Sequence, residues 1–148
     1  MRFVNTTEGQ YLTPPNFVAH TSSVDVFQRG HAASPELQAL AENGAVPGMA
    51  AALTAAVDDA GLGVSGVGAD GPVGPGGEVT FEFTTIANKV SVVAMLICTN
   101  DGFAGLDSRN LPRRDGQTLR YRLGSYDAGT ELNTCLLYTS DAADEKVR

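Results

Sequence analysis

Two strand-like segments that follow each other without a helix between them constrain the fold most. EVTFEFTT, residues 78–85, alternates apolar and polar positions, and KVSVVAMLICTN, residues 89–100, is apolar at most positions. The second pattern is typical of a strand that is buried on both faces. Parallel neighbours need a crossover helix, and no strand–helix–strand order recurs along this chain. This order argues against a parallel α/β sheet and favours an antiparallel fold.

Helices are predicted between the early and the middle strands. Ser34 is a favourable N-cap, Pro35 takes the first helical position, and Gly44 ends the first helix. The Ala-rich residues 46–60 form the second helix, which ends at Gly61. The predicted fold class is mainly β, an antiparallel β-sandwich with a helical insertion between early and middle strands.

Further strands are predicted at short alternating segments. RFVNT opens the chain as a strand, and the Gly-rich region after the second helix holds a short strand near residues 64–67. YLTPPNFVAH is extended, and its two prolines place it at a sheet edge or in a loop. VDVFQR and QTLRYRL alternate and are interpreted as strands, whereas TNDGFAGLDS is interpreted as an acidic turn.

Composition narrows the class of protein. The chain has 148 residues, 43% of them hydrophobic and 18% charged, which suits one domain with its own core. Its net charge of −7 argues against a broad nucleic-acid interface, so no nucleic-acid partner is expected. The longest apolar runs are too short for a direct membrane span.

The two ends of the chain differ in character from its middle. CLLYTSDAADEKVR, residues 135–148, resembles the translation of a sequencing adapter, so we expect the native domain to lie within residues 1–134. Met1 opens inside a strand-like segment, and we expect truncation at both ends. No Cys98–Cys135 disulfide is inferred, because Cys135 belongs to the tail.

Several motif matches carry no functional prediction. GLGVSG matches the dinucleotide-binding pattern but follows a helix rather than a strand. NTT at Asn5 is a formal glycosylation triplet that is common by chance. His20 and His31 with one native cysteine do not make a zinc set, and structural or surface roles are expected for both histidines.

Four acids lie in turn-like sequence after the apolar segment. Asp101, Asp107, Asp127 and Glu131 suit turns, since aspartate bonds its own backbone. YDAGTE places two carboxylates four residues apart around Ala-Gly, and strand-end loops gather at the ends of a sandwich. Calcium accepts such oxygens, although the spacing is not that of an EF-hand. Paired carboxylates also serve glycosidases, but no Trp platform for a sugar is present.

A family resemblance rests on five segments in order. YLTPPNFVAH, SPELQALAENG, GPVGPGGEVTFEF, TNDGFAGLDS and YDAGTELN occur as in spondin-type domains. The chain resembles a bacterial relative of the N-terminal domain of F-spondin and mindin over nearly all of residues 1–134. The resemblance implies a β-sandwich, secreted or at the cell surface, that acts as an adhesion or matrix-binding module without catalytic activity.

The resemblance also implies a calcium ion at one end of the sandwich. In the animal members the acid of a PDW-like turn and both acids of DAGTD hold the ion. Asp101 matches the first acid, and Asp127 and Glu131 match the second pair. Here NDG replaces PDW, Glu131 is one methylene longer than the animal aspartate, and the flanking cysteines are absent.

Three functions are open from the sequence. The first is an extracellular calcium-binding module whose partner is an unidentified surface protein or glycan. The second is a carbohydrate-active or other hydrolytic domain that uses the same carboxylates. The third is a purely structural domain without an ion.

Overall fold

The computed structural model of the chain describes residues 1–60 and 63–131. Their helices and strands, in chain order, are β1 (Arg2–Val4), β2 (Asn16–His20), α1 (Pro35–Asn43), α2 (Val46–Ala60), β3 (Val64–Val67), β4 (Glu78–Thr80), β5 (Lys89–Met95), β6 (Gly102–Asn110) and β7 (Gly124–Asp127). In this part of the chain, no helix is both long and apolar enough to cross a membrane.

The strands form two antiparallel sheets. β1 and β4 make a two-stranded sheet, and the other five strands pair in the order β3-β2-β5-β6-β7. Both helices come between β2 and β3, after the first strands and before the middle ones. The predicted mainly-β class with a helical insertion is therefore confirmed.

Strand β5 lies at the centre of the large sheet and is covered on both faces. Val93 and Met95 pack towards the helices, whereas Val92 and Ala94 belong to the apolar cluster on the opposite face. All four side chains are buried, because α1 and α2 cover one face and the two-stranded sheet with its adjoining segments covers the other. Burial on both faces explains why the segment is apolar at consecutive positions.

Helix α1 begins and ends where its capping residues predict. The Ser34 hydroxyl accepts a hydrogen bond from the backbone N–H of Leu37 at 3.2 Å. Gly44 takes the left-handed conformation, with φ +67°, that a C-terminal cap requires. Leu37 and Leu40 are fully buried against the sheet and α2, so this short helix is held by packing as well as by its caps.

Aromatic stacking closes the opposite face of the sheet. Phe17 of β2 stacks on Phe81 and Phe83, with ring centroids 4.7 Å and 4.9 Å away. The predicted inward alternation of Val79, Phe81 and Phe83 is confirmed, since all three pack against this cluster. Strand pairing itself stops at Thr80, so the strand is shorter than its alternation predicts.

Three strand assignments from sequence are wrong in detail. β2 is an internal strand between β3 and β5, not an edge, because Pro14 and Pro15 precede its first paired residue. VDVFQR, residues 24–29, is irregular, although Val24 and Val26 are buried in the helix-side core. QTLRYRL, residues 117–123, is also irregular, and alternation without a pairing partner did not make it a strand.

TNDGFAGLDS is mostly a strand rather than a turn. Only the residues up to Asp101 form the turn after β5, and β6 begins at Gly102. Pairing with β5 from Met95↔Phe103 to Lys89↔Asn110 makes β6 the longest strand of the described residues. Asp101 therefore lies at one end of β6, and Asp107 lies within the strand.

Candidate metal centre

Strand pairing brings two of the predicted acids together. Asp101 immediately precedes β6, and Asp127 is the last residue of β7. The antiparallel register sets Gly102 opposite Asp127, so both acids lie at the same corner of the large sheet. The backbone carbonyl of Asp101 also accepts a hydrogen bond from Ala128 N–H at 2.9 Å.

The Asp101 side chain is buried inside the turn that follows β7. This residue is only 1% exposed. Its Oδ2 accepts hydrogen bonds from the backbone N–H groups of Thr130, at 2.9 Å, and Glu131, at 3.0 Å. The loop after β7 thus folds around a carboxylate supplied by a different strand.

The same turn contains a second carboxylate and an unpartnered hydroxyl. Asp127 Oδ1 accepts a hydrogen bond from Gly129 N–H at 2.7 Å, and Gly129 has φ +75°, a conformation that glycine adopts without strain. Thr130 Oγ1 is buried, and no hydrogen-bond partner satisfies it among the residues that the structure describes. A buried hydroxyl without a partner is costly unless water or an ion satisfies it.

The electrostatics of Asp101 reflect its crowded position. Burial raises the pKa of the Asp101 carboxyl above its ordinary value. The Asp127 carboxylate raises this pKa further, both through a side-chain hydrogen bond and through charge repulsion, while the N–H groups of Glu131 and Thr130 oppose the rise. At Asp101, burial and the nearby Asp127 carboxylate therefore outweigh the two backbone N–H donors.

Glu131 and Asp107 occupy different positions from this pair. Glu131 contributes its backbone N–H to Asp101 and is an exposed residue. Within residues 1–60 and 63–131, no group of three His, Cys, Asp or Glu side chains is arranged to hold a metal. Asp107 is exposed on β6 and accepts a hydrogen bond from the Ser108 hydroxyl at 2.9 Å, away from this corner.

The donor set nevertheless suits a hard cation. Asp101 and Asp127 supply two adjacent carboxylates, and Thr130 supplies a buried hydroxyl oxygen without a partner among the described residues. Calcium takes oxygen ligands of these kinds and tolerates irregular geometry, so the residues present fit this ion. Asp101, Asp127 and, after a side-chain movement, Glu131 would hold it, and the ion would supply positive charge beside the two carboxylates.

Neither histidine occupies a catalytic or metal-binding arrangement among the described residues. His20 is fully buried, with Nδ1 donating to the Thr21 carbonyl and Nε2 2.8 Å from Ser91 Oγ. Ser91 Oγ in turn accepts from Ser108 N–H at 2.9 Å. His31 is exposed. A serine beside a histidine suggests a nucleophile, but this pair is sealed in the core and braces the sheet.

The glycosylation triplet is also structural. Asn5 is 1% exposed, and its Nδ2 donates to the carbonyls of Gln10, at 2.7 Å, and Val73, at 2.9 Å. The amide nitrogen that would carry a glycan is therefore buried and engaged. The GLGVSG segment leads into β3 rather than into a helix, so the dinucleotide context is absent there as well.

The fold and this corner define a β-sandwich domain with a two-carboxylate site at one end. The sequence matches the spondin N-terminal domain family (Spondin_N) over residues 16–147. The chain belongs to this family, which places it among extracellular ligand-binding modules of the adhesion type that are in general not catalytic. No curated protein matches the sequence.

The family match covers residues 135–147, which are most of the tail that resembles a translated sequencing adapter. These residues lie outside the part that the structure describes, so the boundary at Thr134 stays a prediction.

The sequence identified the two acids but missed the rest of the site. The Thr130 hydroxyl and the N–H groups of Thr130 and Glu131 became visible only once the turn was seen to fold around Asp101. The sequence feature that could have indicated these donors is DAGT. Its glycine, Gly129, adopts a positive φ, and this conformation directs consecutive backbone N–H groups to one side of the turn.

Proposed function

We propose that the chain is a secreted or cell-surface binding module of the spondin type that holds one calcium ion with Asp101, Asp127 and Glu131. It binds a surface protein or a glycan and does not catalyse a reaction. The observation that carries the calcium proposal is the buried Asp101 carboxylate, which lies close to Asp127 in a turn whose Thr130 hydroxyl has no partner among the described residues.

The ion has a structural purpose in this proposal. The turn after β7 is attached to β6 through the Asp101 oxygens. Neutralising the two carboxylates stabilises that attachment and orders the turn, so the end of the sandwich becomes a rigid surface on which a partner docks. A catalytic use of the same acids lacks support, since Asp101 is buried beneath the turn and is not accessible to a substrate.

Isothermal titration calorimetry with calcium tests the proposal. Wild type should bind one ion, Asp127→Asn should weaken binding strongly, and Glu131→Gln should weaken it less because that ligand is longer and exposed. Asp115→Asn is the matched control, since Asp115 has the same charge in an exposed turn between arginines. Equal calcium affinities for Asp127→Asn and Asp115→Asn would show that Asp127 is not a calcium ligand.

Substrate assays separate the hydrolytic alternative. The purified chain should show no turnover of glycan or ester substrates, with or without calcium. Turnover that Asp101→Asn abolishes would establish the alternative function instead.

A further inference from the structure

Positive charge is concentrated in one connection of this acidic protein. Residues 109–122, here called the arginine loop, contain Arg109, Arg113, Arg114, Arg120 and Arg122 and one acid, Asp115. Five arginines and one aspartate give the loop a net charge of +4, whereas the whole chain carries −7. Such segregation is not what a mixed, solubilising surface shows.

The loop is folded back on itself rather than extended into solvent. The Tyr121 hydroxyl donates to the Asn110 carbonyl at 2.9 Å and joins the returning arm to the end of β6. At the tip, Gln117 accepts from Arg113 N–H at 2.8 Å, and its own N–H donates to the Arg114 carbonyl at 3.1 Å. These bonds hold all five arginines within one compact hairpin-like segment.

The loop arginines have no carboxylate partners among residues 1–60 and 63–131. Residues 112–122 are all exposed, as is Arg109. The one ion pair within residues 1–60 and 63–131 joins Arg2 to Glu78, far from the arginine loop in sequence. Lys89 extends the same charge, since it pairs with Asn110 in the sheet and its Nζ donates to Asn110 Oδ1 at 2.8 Å. The like charges repel each other unless an anion neutralises them.

The arginine loop and the metal centre lie at opposite ends of β6. Asp101 precedes the first residue of this strand, and Arg109 is next to its last. At about 3.3 Å per residue the strand separates the two sites by about 25 Å, well beyond the Debye length at physiological salt. A ligand on the loop therefore has no need of the calcium ion.

We propose that the arginine loop binds an anionic polysaccharide, in which sulfate or carboxylate groups repeat along a narrow chain. The guanidinium group holds such oxyanions through paired N–H donors, which a lysine does not reproduce. The groove beside the loop contains Glu8 and Glu82, so a broad anionic surface would meet carboxylates where a thin chain would not. Tyr121 is the loop's one aromatic ring and its hydroxyl is engaged, so base stacking finds little support.

Heparin binding by the full chain tests the proposal, with surface plasmon resonance across a range of salt concentrations. Two variants each remove two loop charges, Arg113→Gln with Arg114→Gln, and Arg120→Gln with Arg122→Gln. The control, Arg29→Gln, removes a charge outside the loop and outside the groove beside it. Arg113→Lys with Arg114→Lys keeps the charge and removes the paired donors, and melting curves establish that each variant folds.

Wild type should bind heparin but not neutral dextran, more weakly as salt rises. Each loop double variant should lose about tenfold or more in affinity and show a shallower salt dependence, because two ionic contacts are gone. The control should keep wild-type affinity, and the lysine variant should fall between.

Other outcomes overturn the proposal. No heparin binding at low salt, or an equal loss in the control, would remove the loop as a site. Tighter binding of duplex DNA or of phosphatidylserine vesicles would assign it to another class of partner. If chelator or Asp101→Asn abolishes heparin binding, the heparin site is at the metal centre and not on the loop. Calcium titration of the same loop variants tests the calcium site independently of heparin binding. Failure of one proposal is therefore distinguishable from failure of the other.

Discussion

Asp101 has two roles that are separable at the level of single atoms. Its Oδ2 and its backbone carbonyl hold the turn after β7, and its negative charge is the part that conflicts with Asp127. An asparagine at this position retains an oxygen for the N–H groups of Thr130 and Glu131, and its amide can donate to Asp127. Shape and charge can therefore be tested apart.

Asp101→Asn should lose its stabilisation by calcium without losing stability in chelator. With chelator its melting temperature should equal or exceed that of wild type, since the buried repulsion is gone while the hydrogen bonds remain. Thermal unfolding in chelator and in calcium measures both effects. Asp107→Asn, with an exposed carboxylate on the same strand, should respond to calcium as wild type does, and a calcium response in Asp101→Asn would contradict the assignment.

The raised pKa of Asp101 predicts the pH dependence of the chelated protein. Because the folded state binds this proton more tightly than the unfolded state, lowering the pH through the interval between the raised pKa and the ordinary value of about 3.9 adds stability from this group. Above the raised pKa the group is charged in both states and its contribution is least favourable. The free energy of unfolding of wild type minus that of Asp101→Asn should therefore rise as the pH falls through this interval. A difference that stays flat or has the opposite sign would contradict the pKa shift.

At the scale of elements, strand β6 was not predicted because its glycines, Gly102 and Gly105, are typical of a turn. An added Cβ at Gly105 would lie 2.7 Å from the Phe27 ring, and one at Gly102 would lie 2.5 Å from Thr99 Oγ1. These glycines permit close packing within a strand. The sequence DGFAG alone does not show whether its glycines serve such packing or a turn. Register, which places Asp127 beside Asp101, likewise depends on contacts between distant segments.

Gly105→Ala should destabilise the protein by about 1–3 kcal/mol, since Phe27 must move and it packs in turn on Phe103 and Tyr126. Gly48→Ala is the matched control in α2, where an added Cβ meets nothing within 4 Å. That change should stabilise by about 0.5–1 kcal/mol through helix propensity. Urea unfolding measures both, and equal effects would show that packing at Gly105 is not tight.

What the sequence did predict follows from local chemistry. The caps of α1, the apolar run of β5 and the inward Phe81 and Phe83 depend on neighbouring residues alone, and all were confirmed. VDVFQR and QTLRYRL alternate as strands do but have no pairing partner among the described residues. In VDVFQR the alternation does mark buried side chains, Val24 and Val26, whereas Leu119 and Tyr121 of QTLRYRL are exposed. Strand formation also requires a strand edge to pair with.

Ser91→Ala should destabilise the large sheet through its bulge. The β5–β6 register shifts between Val90 and Val92, and Ser91 Oγ fills the irregularity by bonding both His20 and Ser108 N–H. Ser108 itself has φ +50°, unusual for a residue with a side chain. Removing the hydroxyl leaves the buried His20 Nε2 and the partly buried Ser108 N–H unpaired, which costs about 1–3 kcal/mol. Ser23→Ala, at an exposed hydroxyl that contacts Thr21, should be near neutral in the same unfolding assay.

The whole molecule has its charged features at opposite ends. The carboxylate pair lies where β6 begins and β7 ends, and the arginine loop connects the far end of β6 to the start of β7. An ion at the first end and a polyanion at the second each relieve a repulsion that the isolated chain retains. Because about 25 Å of strand β6 separates the two sites, each ligand should stabilise the fold without requiring the other.

Calcium should raise the melting temperature of the whole domain. An ion that binds only the folded state adds about 2.7 kcal/mol at a concentration a hundredfold above its dissociation constant. For a chain of this size that corresponds to a rise of about 5–10 °C. Magnesium should raise it less, because it demands a tighter octahedral shell than a turn built on a buried aspartate provides. Differential scanning calorimetry in calcium, magnesium and chelator measures the three cases, with the double variant Asp101→Asn, Asp127→Asn as the control that no ion should shift. Superimposable wild-type melting curves in millimolar calcium and in chelator would mean that Asp101 and Asp127 serve the turn alone.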